Sequence, residues 1–451
     1  MDPAYRTEAL FAKEARPCES AAEMNAQSSS SAEKPKRSPL VVIFLTVFID
    51  LVGFGIIIPT SPFIAREFGA SATELGLLMS IYSFFQFLFS PFWGSISDRI
   101  GRRPTILISL LGCAASYLLF AFSQSLTLLF VARGLAGLFG GNISTAHAYI
   151  GDVTPPHERS KGMGMIGAAF GLGFIFGPIL GYVLGVVGQK LGSAPPFGLS
   201  FSALGVALLC LINFTFAWFF LKESLPPEKR GRAHDRPKRL RAIFQQLRRP
   251  IAGPLMFVYF FSGLAMSQME PMLVPYIQDE LDLGLKTATY GFAYIGVIMV
   301  ITQGYLIRKW MPRLGEPKIL VGGLLLFAVG LFLIAASKTL FILGIAMTLF
   351  AFGNGLLRPP NLGIISLSTP PEEQGVSMGV TNSLASLGRI IGPALGGFLY
   401  ERMSHEAPFL AAGFVSVIGL VIVLLCYRRL PSTGLHVPAG QQVEEKVHER
   451  A

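Results

Sequence analysis

Long apolar runs, each of about 20 residues, recur twelve times along this chain of 451 residues. A run of this length crosses the hydrocarbon core of a bilayer as a helix, because the backbone must satisfy its own hydrogen bonds in lipid. The runs lack the alternation of apolar and polar residues that marks the strands of a membrane barrel. The sequence therefore predicts an all-α membrane fold with twelve transmembrane helices. The predicted helices cover 40–60, 72–93, 105–123, 126–150, 161–187, 199–221, 251–276, 287–307, 318–336, 339–365, 376–400 and 408–427.

The composition excludes a soluble enzyme and a soluble DNA-binding domain. Charged residues make up 14% of the chain, against about 25% in soluble proteins. Apolar residues reach 52%, so the chain could not cover its apolar surface in water. The cysteines show no metal-ligand spacing, and we expect free thiols and no metal site. The four cysteines are Cys18, Cys113, Cys210 and Cys426.

Lysine and arginine are distributed unevenly between the two sides of the predicted helices. Of the 37 basic residues, 29 lie in the tails and in the connections on the side of the tails, 5 lie in the opposite connections and 3 lie within helices. Cytoplasmic connections carry the excess of basic residues, so both termini are predicted to be cytoplasmic. This distribution accounts for the net charge of +10 without a nucleic-acid partner. We predict a multi-pass protein of the inner (plasma) membrane.

The longest connection lies between the sixth and seventh predicted helices and carries ten basic residues. It separates two groups of six helices, which we predict to be two bundles. The predicted division is a disordered cytoplasmic tail at 1–39, a first bundle at 40–221, a basic cytoplasmic linker at 222–250, a second bundle at 251–427 and a cytoplasmic tail at 428–451.

Two segments of the chain are related at an offset of 215 residues. Residues 154–185 and 369–400 share 14 identities in 32 aligned positions without a gap. Both segments would cross the membrane in the same direction, so the predicted bundles are parallel repeats, an arrangement found in transporters. Glycines four residues apart share one helix face and allow another backbone to approach closely. The repeated positions are Gly173, Gly177, Pro178 and Gly181, and Gly388, Gly392, Pro393 and Gly396.

Two acidic and three basic residues lie within predicted helices, where an ionisable side chain costs at least about 2.5–3.5 kcal/mol. Asp50, near the middle of the first helix, and Glu270, in the outer part of the seventh, are candidates for carrying protons or contacting substrate. The three basic residues are Arg133, Arg358 and Arg389, of which Arg358 and Arg389 are candidates for the wall of a substrate cavity. Structural ion pairs between helices are the alternative interpretation of these charges.

Uncharged polar residues within the helices are further candidates for the cavity wall, although each could instead form a hydrogen bond between helices. No G-x-x-x-x-G-K-[ST] loop is present in the sequence, so we expect no ATP and no other cofactor. An ion gradient or the gradient of the substrate would then supply the energy. The uncharged candidates are Tyr82, Gln86, Asn142, Asn354 and Asn382.

The connection between the second and third predicted helices reads Gly94-Ser-Ile-Ser-Asp98-Arg-Ile-Gly101-Arg-Arg-Pro104. It resembles the signature of the major facilitator superfamily. The Gly-x-x-x-Gly-Pro pattern that begins at Gly173 resembles the antiporter motif of drug/proton exchangers in this superfamily. The stretch from Phe48 to Pro59 resembles the tetracycline-resistance efflux proteins. The resemblance covers about 40–427 and implies the major facilitator fold.

The resemblance also implies roles for single residues. Asp98 would contact the cytoplasmic end of the eleventh helix and latch the outward-facing state, and Arg102 would pair with Asp152. Arg133 matches a helix-four motif that the family links to proton coupling, which makes it a third candidate for proton coupling beside Asp50 and Glu270. The second half lacks an acid at the position of Asp98, so the predicted latch is one-sided. The latch residues are Gly94, Asp98, Arg99, Gly101, Arg102, Arg103 and Asp152.

These observations lead to one main functional prediction and two alternatives. The main prediction is a proton-coupled exporter of small amphiphilic compounds that works as a monomer by alternating access, with protons and a small molecule as its partners. The first alternative is a symporter or uniporter of a metabolite. The second is a membrane receptor or scaffold that transports nothing. No nucleophile and base stand out in the sequence, so we do not expect an enzyme.

Overall fold

The structure is a computed structural model that describes residues 39–154, 159–231, 244–370 and 373–431. Within these residues the chain forms twelve long helices and no strand. The predicted tails, apart from a few residues, and the middle of the predicted linker lie outside the described residues. The helices are α1 (Pro39–Glu67), α2 (Ala72–Ile100), α3 (Arg102–Ala121), α4 (Leu126–Gly140 and Ile143–Val153), α5 (Arg159–Leu191), α6 (Phe201–Phe220), α7 (Ala252–Leu281), α8 (Leu285–Ile301 and Ile307–Leu314, joined by a π-helical turn), α9 (Glu316–Ala335), α10 (Leu340–Leu367), α11 (Gln374–Arg402) and α12 (Ala407–Cys426).

The predicted number and order of helices are confirmed. Ten of the spans in the described part of the chain are long and apolar enough to cross a membrane on composition alone, and α7 and α11 are not among them. These two helices carry Glu270 and Arg389, and each contains internal proline. They also pack closely against each other, which shields part of their surface from lipid.

The helices pack in a pattern that repeats after six helices. In the first half, α1 packs on α5, α3 on α6, and α2 on α4. The second half repeats these pairs as α7 on α11, α9 on α12, and α8 on α10. The halves meet through α2 with α11 and α5 with α8, which are also equivalent pairs. The structure is therefore the two-bundle, parallel-repeat arrangement that the internal sequence similarity predicts.

The two halves touch each other mainly toward one end of the bundle. We call this end the far face; it carries the turn at 68–71. The opposite end, which carries Gly101 and residues 221–231, is the linker face. Near the far face, the Ala394 N–H donates to Ser80 Oγ at 3.0 Å and the Thr73 N–H donates to a Glu401 carboxylate oxygen at 2.9 Å.

Toward the linker face, α2 and α11 carry exposed side chains. Leu88 on α2 is 53% exposed and Leu387 on α11 is 37% exposed, and Ser383 is also exposed. The hydrogen bonds that join Ser80 and Thr73 to α11 lie in the half of α2 nearer the far face. The two halves are therefore joined at the far face.

Candidate functional site

Asp50 is the twelfth of the 29 residues of α1, which places it in the middle of the span. It lines a small cavity of ≈ 20 Å³ together with Thr46, Leu110 and Asn142. A space of this size holds about one water molecule. Within the described residues, no hydrogen bond or ion pair engages the Asp50 carboxylate. The carboxylate is therefore free to gain or lose a proton without breaking a contact in this part of the protein.

Arg133, on α4, is 1% exposed and is the largest fully buried side chain among the described residues. Its guanidinium carbon lies 4.8 Å from the centre of the Tyr82 ring, a cation–π contact, and its Nη2 lies 3.4 Å from Met79 Sδ. Its Nε and Nη1 have no hydrogen-bond partner in the described part of the chain. The ion pair that was the structural alternative for Arg133 is absent from these residues.

Tyr82 and Gln86 share a face of α2, as their spacing predicts. Gln86 Nε2 lies 3.4 Å from Tyr82 Oη and donates to the Gly140 carbonyl at 3.0 Å. That carbonyl lies next to the break between the two segments of α4, which the sequence analysis missed. Gln86 thus provides a hydrogen-bond donor for a backbone carbonyl at this break. Asn142 lies in the break and lines the small cavity beside Asp50.

The predicted candidates in the second half divide into buried and accessible residues. Asn354 is 2% exposed and contacts the sulfur atoms of Met266 and Met299 at 3.4 and 3.6 Å, so it packs inside the second half. Asn382 is exposed on α11. The charged residues Glu270, Arg358 and Arg389 are all half-buried and come from three helices, α7, α10 and α11.

The side chain of Arg102 binds three groups at the linker face, and Arg102 is 8% exposed. Its Nη1 donates to Ser97 Oγ at 2.7 Å and to Asp98 Oδ1 at 2.6 Å, and its Nε donates to Asp152 Oδ2 at 3.0 Å. The pair between Arg102 and Asp152 that the resemblance implies is therefore present. A buried arginine with this many charged and polar partners fixes the ends of α2, α3 and α4 relative to one another.

One detail of the predicted latch was wrong. Residues 94–100 are helical rather than a loop, because α2 continues to Ile100 and only Gly101, with a φ of +109°, separates it from α3. The Asp98 carboxylate binds Arg102 in the structure. The contact between Asp98 and α11 in the outward-facing state stays a prediction.

Glu223, which the sequence analysis did not select, organises the same corner. Its carboxylate accepts hydrogen bonds from the backbone N–H groups of Arg102, Arg103, Ser224 and Leu225 at 2.8 to 3.2 Å. Arg102 and Arg103 begin α3, where a carboxylate satisfies free N–H groups and the positive end of the helix dipole. The contact joins residues more than 100 positions apart, so no local pattern could have predicted it.

We expect Glu223→Ala to lower the free energy of unfolding by about 1–3 kcal/mol, because four N–H groups lose a charged acceptor. The measurement is thermal unfolding in detergent, followed with a dye that reacts with the buried thiols of Cys113 and Cys210. Glu228→Ala, which removes an exposed carboxylate from the same segment, is the matched control. Equal unfolding temperatures for the two variants would contradict the role assigned to Glu223.

An ion pair joins the two halves at the far face. Arg66, at the end of α1, donates to both carboxylate oxygens of Asp279 on α7 at 2.9 and 2.8 Å and to Gln278 Oε1 at 3.2 Å. Tyr400 on α11 donates to Asp279 Oδ2 at 2.7 Å. We call Arg66, Asp279 and Tyr400 the far-face clamp. The clamp closes the far face in this state.

Breaking the clamp is expected to open the far face. Arg66→Gln removes a two-point charged contact worth about 1.5–3 kcal/mol, so the open-to-closed ratio at this face should rise about tenfold or more. The measurement is the distance distribution between spin labels at Ala70 and Met403, in which a longer component should grow. Arg402→Gln, which removes a neighbouring exposed arginine, should leave the distribution unchanged. An unchanged distribution in Arg66→Gln would show that the clamp does not hold the halves together.

A second charged group stabilises the same end of the second half. Lys338 Nζ lies 2.8 Å from Glu280 Oε2 and 2.9 Å from Glu406 Oε1. The hydrogen bond and the positive charge of Lys338 hold the pKa of the Glu406 carboxyl below its ordinary value. The stabilisation from Glu406 is thus fully present above the ordinary pKa of a glutamate and is lost as the pH falls through the lowered pKa.

The repeated glycines lie where helices touch backbone to backbone. A methyl group at Gly177 on α5 would lie 2.6 Å from Cα of Gly55 on α1, and one at Gly388 on α11 would lie 2.9 Å from the backbone nitrogen of Leu264 on α7. Pro178 lies inside an unbroken helix. The equivalent pairs α1–α5 and α7–α11 therefore use the same close packing.

Comparisons with known proteins agree with this geometry. A family model described as Major Facilitator Superfamily matches residues 43–314 and 305–449. The tetracycline resistance protein, class E, of Escherichia coli is 30% identical over 415 residues, which cover 90% of this chain and 99% of that protein. Multidrug resistance protein 2 of Bacillus subtilis (strain 168) is 30% identical over 396 residues, which cover 86% of this chain and 95% of that protein.

A solved structure agrees with the fold. The crystal structure of the human organic anion transporter MFSD10 (TETRAN) is 27% identical to this chain and superposes with a TM-score of 0.66. The match covers 87% of this chain and 100% of that chain. The described helices therefore have a counterpart of known fold across nearly the whole length.

Proposed function

The chain belongs to the major facilitator superfamily of membrane transporters, and from this premise we propose that it exports small amphiphilic compounds in exchange for protons. The observation that carries the proposal is Asp50. It is a carboxylate in the middle of a membrane span, it lines a cavity, and it has no partner among the described residues. Such a residue is costly in a membrane and is functional by default.

The proposed mechanism uses Asp50 as a shared site for the proton and the substrate. Protonation of Asp50 removes a negative charge from the cavity, which weakens the hold on a positively charged or hydrogen-bond-donating group of the substrate. Because the proton and the substrate compete for this site, each must leave before the other binds. The two are therefore carried across the membrane in opposite directions. Glu270 in the second half is the second proposed proton carrier, and Arg133 is proposed to act in coupling through Tyr82.

The orientation of the protein follows from its basic residues. The linker face carries the connections that are rich in lysine and arginine, so we place it in the cytoplasm of a cell whose inner membrane holds the protein. The far face then lies outside. The linker face is the side from which substrate would be taken up, and the monomer is the proposed functional unit.

The names of the similar proteins support this direction of transport. Two of them are named for resistance to tetracycline and to multiple drugs, which is typical of export. The internal glycine pairs support a mechanism in which each half moves as one body, because backbone contacts within a half leave little room for internal change.

The test is transport by purified protein in proteoliposomes that contain a pH-sensitive dye. A proton gradient is imposed, and a panel of amphiphilic drugs that includes tetracycline is added to the side of the linker face. Exchange predicts that a transported drug releases protons from the vesicle interior, and that a protonophore abolishes the signal. Proton movement in the same direction as the drug would indicate symport. Drug movement without any proton movement would indicate uniport, and no movement of any drug would contradict export of amphiphiles.

A further inference from the structure

Helix α4 is interrupted beside Asp50, at Gly141 and Asn142. Around this break the helical hydrogen bonds are weak. The backbone N–H groups of Asn142 and Ser144 reach carbonyls only three residues back, each at 3.4 Å. Backbone carbonyls at the break therefore need donors from outside the regular helix pattern.

Four side chains donate to four successive carbonyl groups at this break. The donors come from α2, α3 and α4 itself, and the hydrogen bonds measure 2.5 to 3.0 Å. The pairs of donor and carbonyl are Trp93 Nε1 with Leu138, Ser109 Oγ with Phe139, Gln86 Nε2 with Gly140, and Ser144 Oγ with Gly141. An unsatisfied buried polar group costs about 1–3 kcal/mol, so these donors make the break a stable part of the fold.

The break places Asn142 at the cavity beside Asp50. Both residues line this space of ≈ 20 Å³, and Thr46 lines it with them. Asn142 is 8% exposed, and its side-chain amide forms no hydrogen bond within the described part of the chain. A space of this size holds about one water molecule, which needs two to four polar partners. The carboxylate, the hydroxyl and the amide of these three residues supply that number.

The cavity lies between Asp50 and the linker face. Its lining on α1 runs from Ile43 to Leu51, and α1 begins at that face. On α3 the lining consists of Ile106 and Leu110, in the first half of a helix that also begins there. On α4 the lining begins at Asn142 and continues along the segment that runs to the linker face. All three helices belong to the first half of the protein.

A space for one water molecule cannot hold an amphiphilic compound. Among the described residues that line it, Asp50 is the one ionisable side chain. We propose that Asn142 positions a water molecule on the Asp50 carboxyl, and that the proton of Asp50 leaves toward the linker face through this water. The proton would then follow a route inside the first half that the substrate does not use. This inference rests on the proposed function and adds the route of the proton to it.

The proposed step is a proton transfer without any transfer of electrons between groups. The O–H bond of the protonated Asp50 carboxyl breaks as the cavity water binds its proton, and that water passes one of its own protons to bulk water at the linker face. Val42 and Ile150, which are 3% and 1% exposed, belong to an apolar layer between the cavity and that face. This layer keeps the proton on Asp50 until the helix ends move. Toward the linker face, the next ionisable side chains on α3 and α4 are Arg102, Arg103, His147, Tyr149 and Asp152.

The first test needs no transported compound. Infrared spectra of the full-length protein in lipid are recorded at acidic pH, and the C=O band of the protonated Asp50 carboxyl is assigned by its loss in Asp50→Asn. A hydrogen bond from water lowers the frequency of this band. Asn142→Leu removes one polar partner and places methyl groups in the space, so the band should move to higher frequency. An unchanged band in Asn142→Leu would overturn the proposal.

Two threonines of α1 provide a matched pair of variants. Thr46 and Thr60 are both buried, and each hydroxyl donates to the carbonyl four residues back, at 3.0 and 2.8 Å. Thr46 lines the cavity and Thr60 does not. Thr46→Val should therefore shift the Asp50 band in the same direction as Asn142→Leu, and Thr60→Val should leave it unchanged. Equal shifts in the two threonine variants would contradict a local water site.

The second test measures how fast protons leave. Proteoliposomes with a pH-sensitive dye receive the drug of the panel that gives the largest wild-type signal. Asn142→Leu should slow proton release by about tenfold or more and leave the unfolding temperature and drug binding unchanged. Asn142→Ser keeps a polar group that can bind water and should stay within about threefold of the wild type. Equal slowing in both variants, with lower unfolding temperatures, would make Asn142 a structural residue and overturn the proposal.

The two tests separate this inference from the proposed function. If no drug releases protons from the wild type but the Asp50 band still moves in Asn142→Leu, the proposed exchange is refuted and the water site remains. If the wild type exchanges drug for protons and Asn142→Leu changes neither the band nor the rate, the water site is refuted and the exchange remains.

Discussion

Replacing Asp50 with Asn is expected to abolish the proton release that a transported compound triggers in proteoliposomes. Asparagine has the shape of aspartate but cannot carry a proton, so substrate and proton no longer compete for this position. The Asp50 carboxylate has no hydrogen bond or ion pair to lose among the described residues. We therefore expect an unfolding temperature that is unchanged or higher, because a costly group has left the membrane interior.

The same chemical change outside the membrane provides the control. Asp282 is exposed in the turn after α7, where its φ of +53° is a conformation that Asn also adopts readily. Asp282→Asn should release protons at the wild-type rate. If Asp50→Asn retains drug-triggered proton release, Asp50 is not the coupling carboxylate, and Glu270→Gln becomes the variant to measure.

A larger residue at Gly177 is expected to prevent the first half from folding correctly. A methyl group there would lie 2.6 Å from Cα of Gly55 and 2.8 Å from the Val52 carbonyl oxygen, and backbone atoms cannot move aside as a side chain can. Overpacking of this kind costs about 1–3 kcal/mol or more. We expect Gly177→Ala to lower the unfolding temperature and Gly177→Val to yield little monodisperse protein.

Gly322 on α9 is the matched control for this prediction. It is also a helical glycine within a membrane span, but a methyl group there would have no neighbour within 4 Å. Gly322→Ala should unfold at the wild-type temperature or above, because alanine favours helix more than glycine does. Similar losses in Gly322→Ala and Gly177→Ala would show that the damage is not specific to the contact between α1 and α5.

The fold was predictable because a membrane imposes strong rules on sequence. Each helix requires a run of apolar residues, and each side has its own density of basic residues. The ends of helices were less predictable. The predicted seventh helix stops at 276, whereas α7 continues to Leu281 because Gln278 and Asp279 bind Arg66 at the far face. In the sequence, these polar residues resemble a connection between helices. In the structure they belong to α7 and bind Arg66, which lies 212 or 213 residues away in the chain.

Parts of the candidate site were predictable for a different reason. The cost of a charge in the membrane marks Asp50, Glu270, Arg133, Arg358 and Arg389 without any knowledge of the fold. Which of these charges meet was not predictable, because the contacts join different helices. An ion pair was one interpretation of Arg133 from the sequence, but in the structure its guanidinium lies over the face of the Tyr82 ring.

Glu223 and the far-face clamp show what sequence reasoning misses. Both use ordinary charged residues near helix ends, where charges are expected and carry no signal of function. Asp98 and Arg102 were recognised because they belong to a signature. Glu223 binds the backbone of Arg102 and Arg103 within that signature. It lies, however, in a basic segment whose sequence is typical of a linker between domains.

The contact between α2 and α11 has a mechanical consequence. The two helices touch at Ser80 and Ala394, and α2 continues for 20 residues beyond Ser80 to its end at Ile100. At 1.5 Å per residue, that part of the helix is a lever arm of about 30 Å. A tilt of only about 15° around the contact would move the tip of such an arm by roughly 8 Å. A small rotation near the far face is therefore enough to admit a molecule as wide as an aromatic ring system at the opposite end, and the contact acts as a fulcrum.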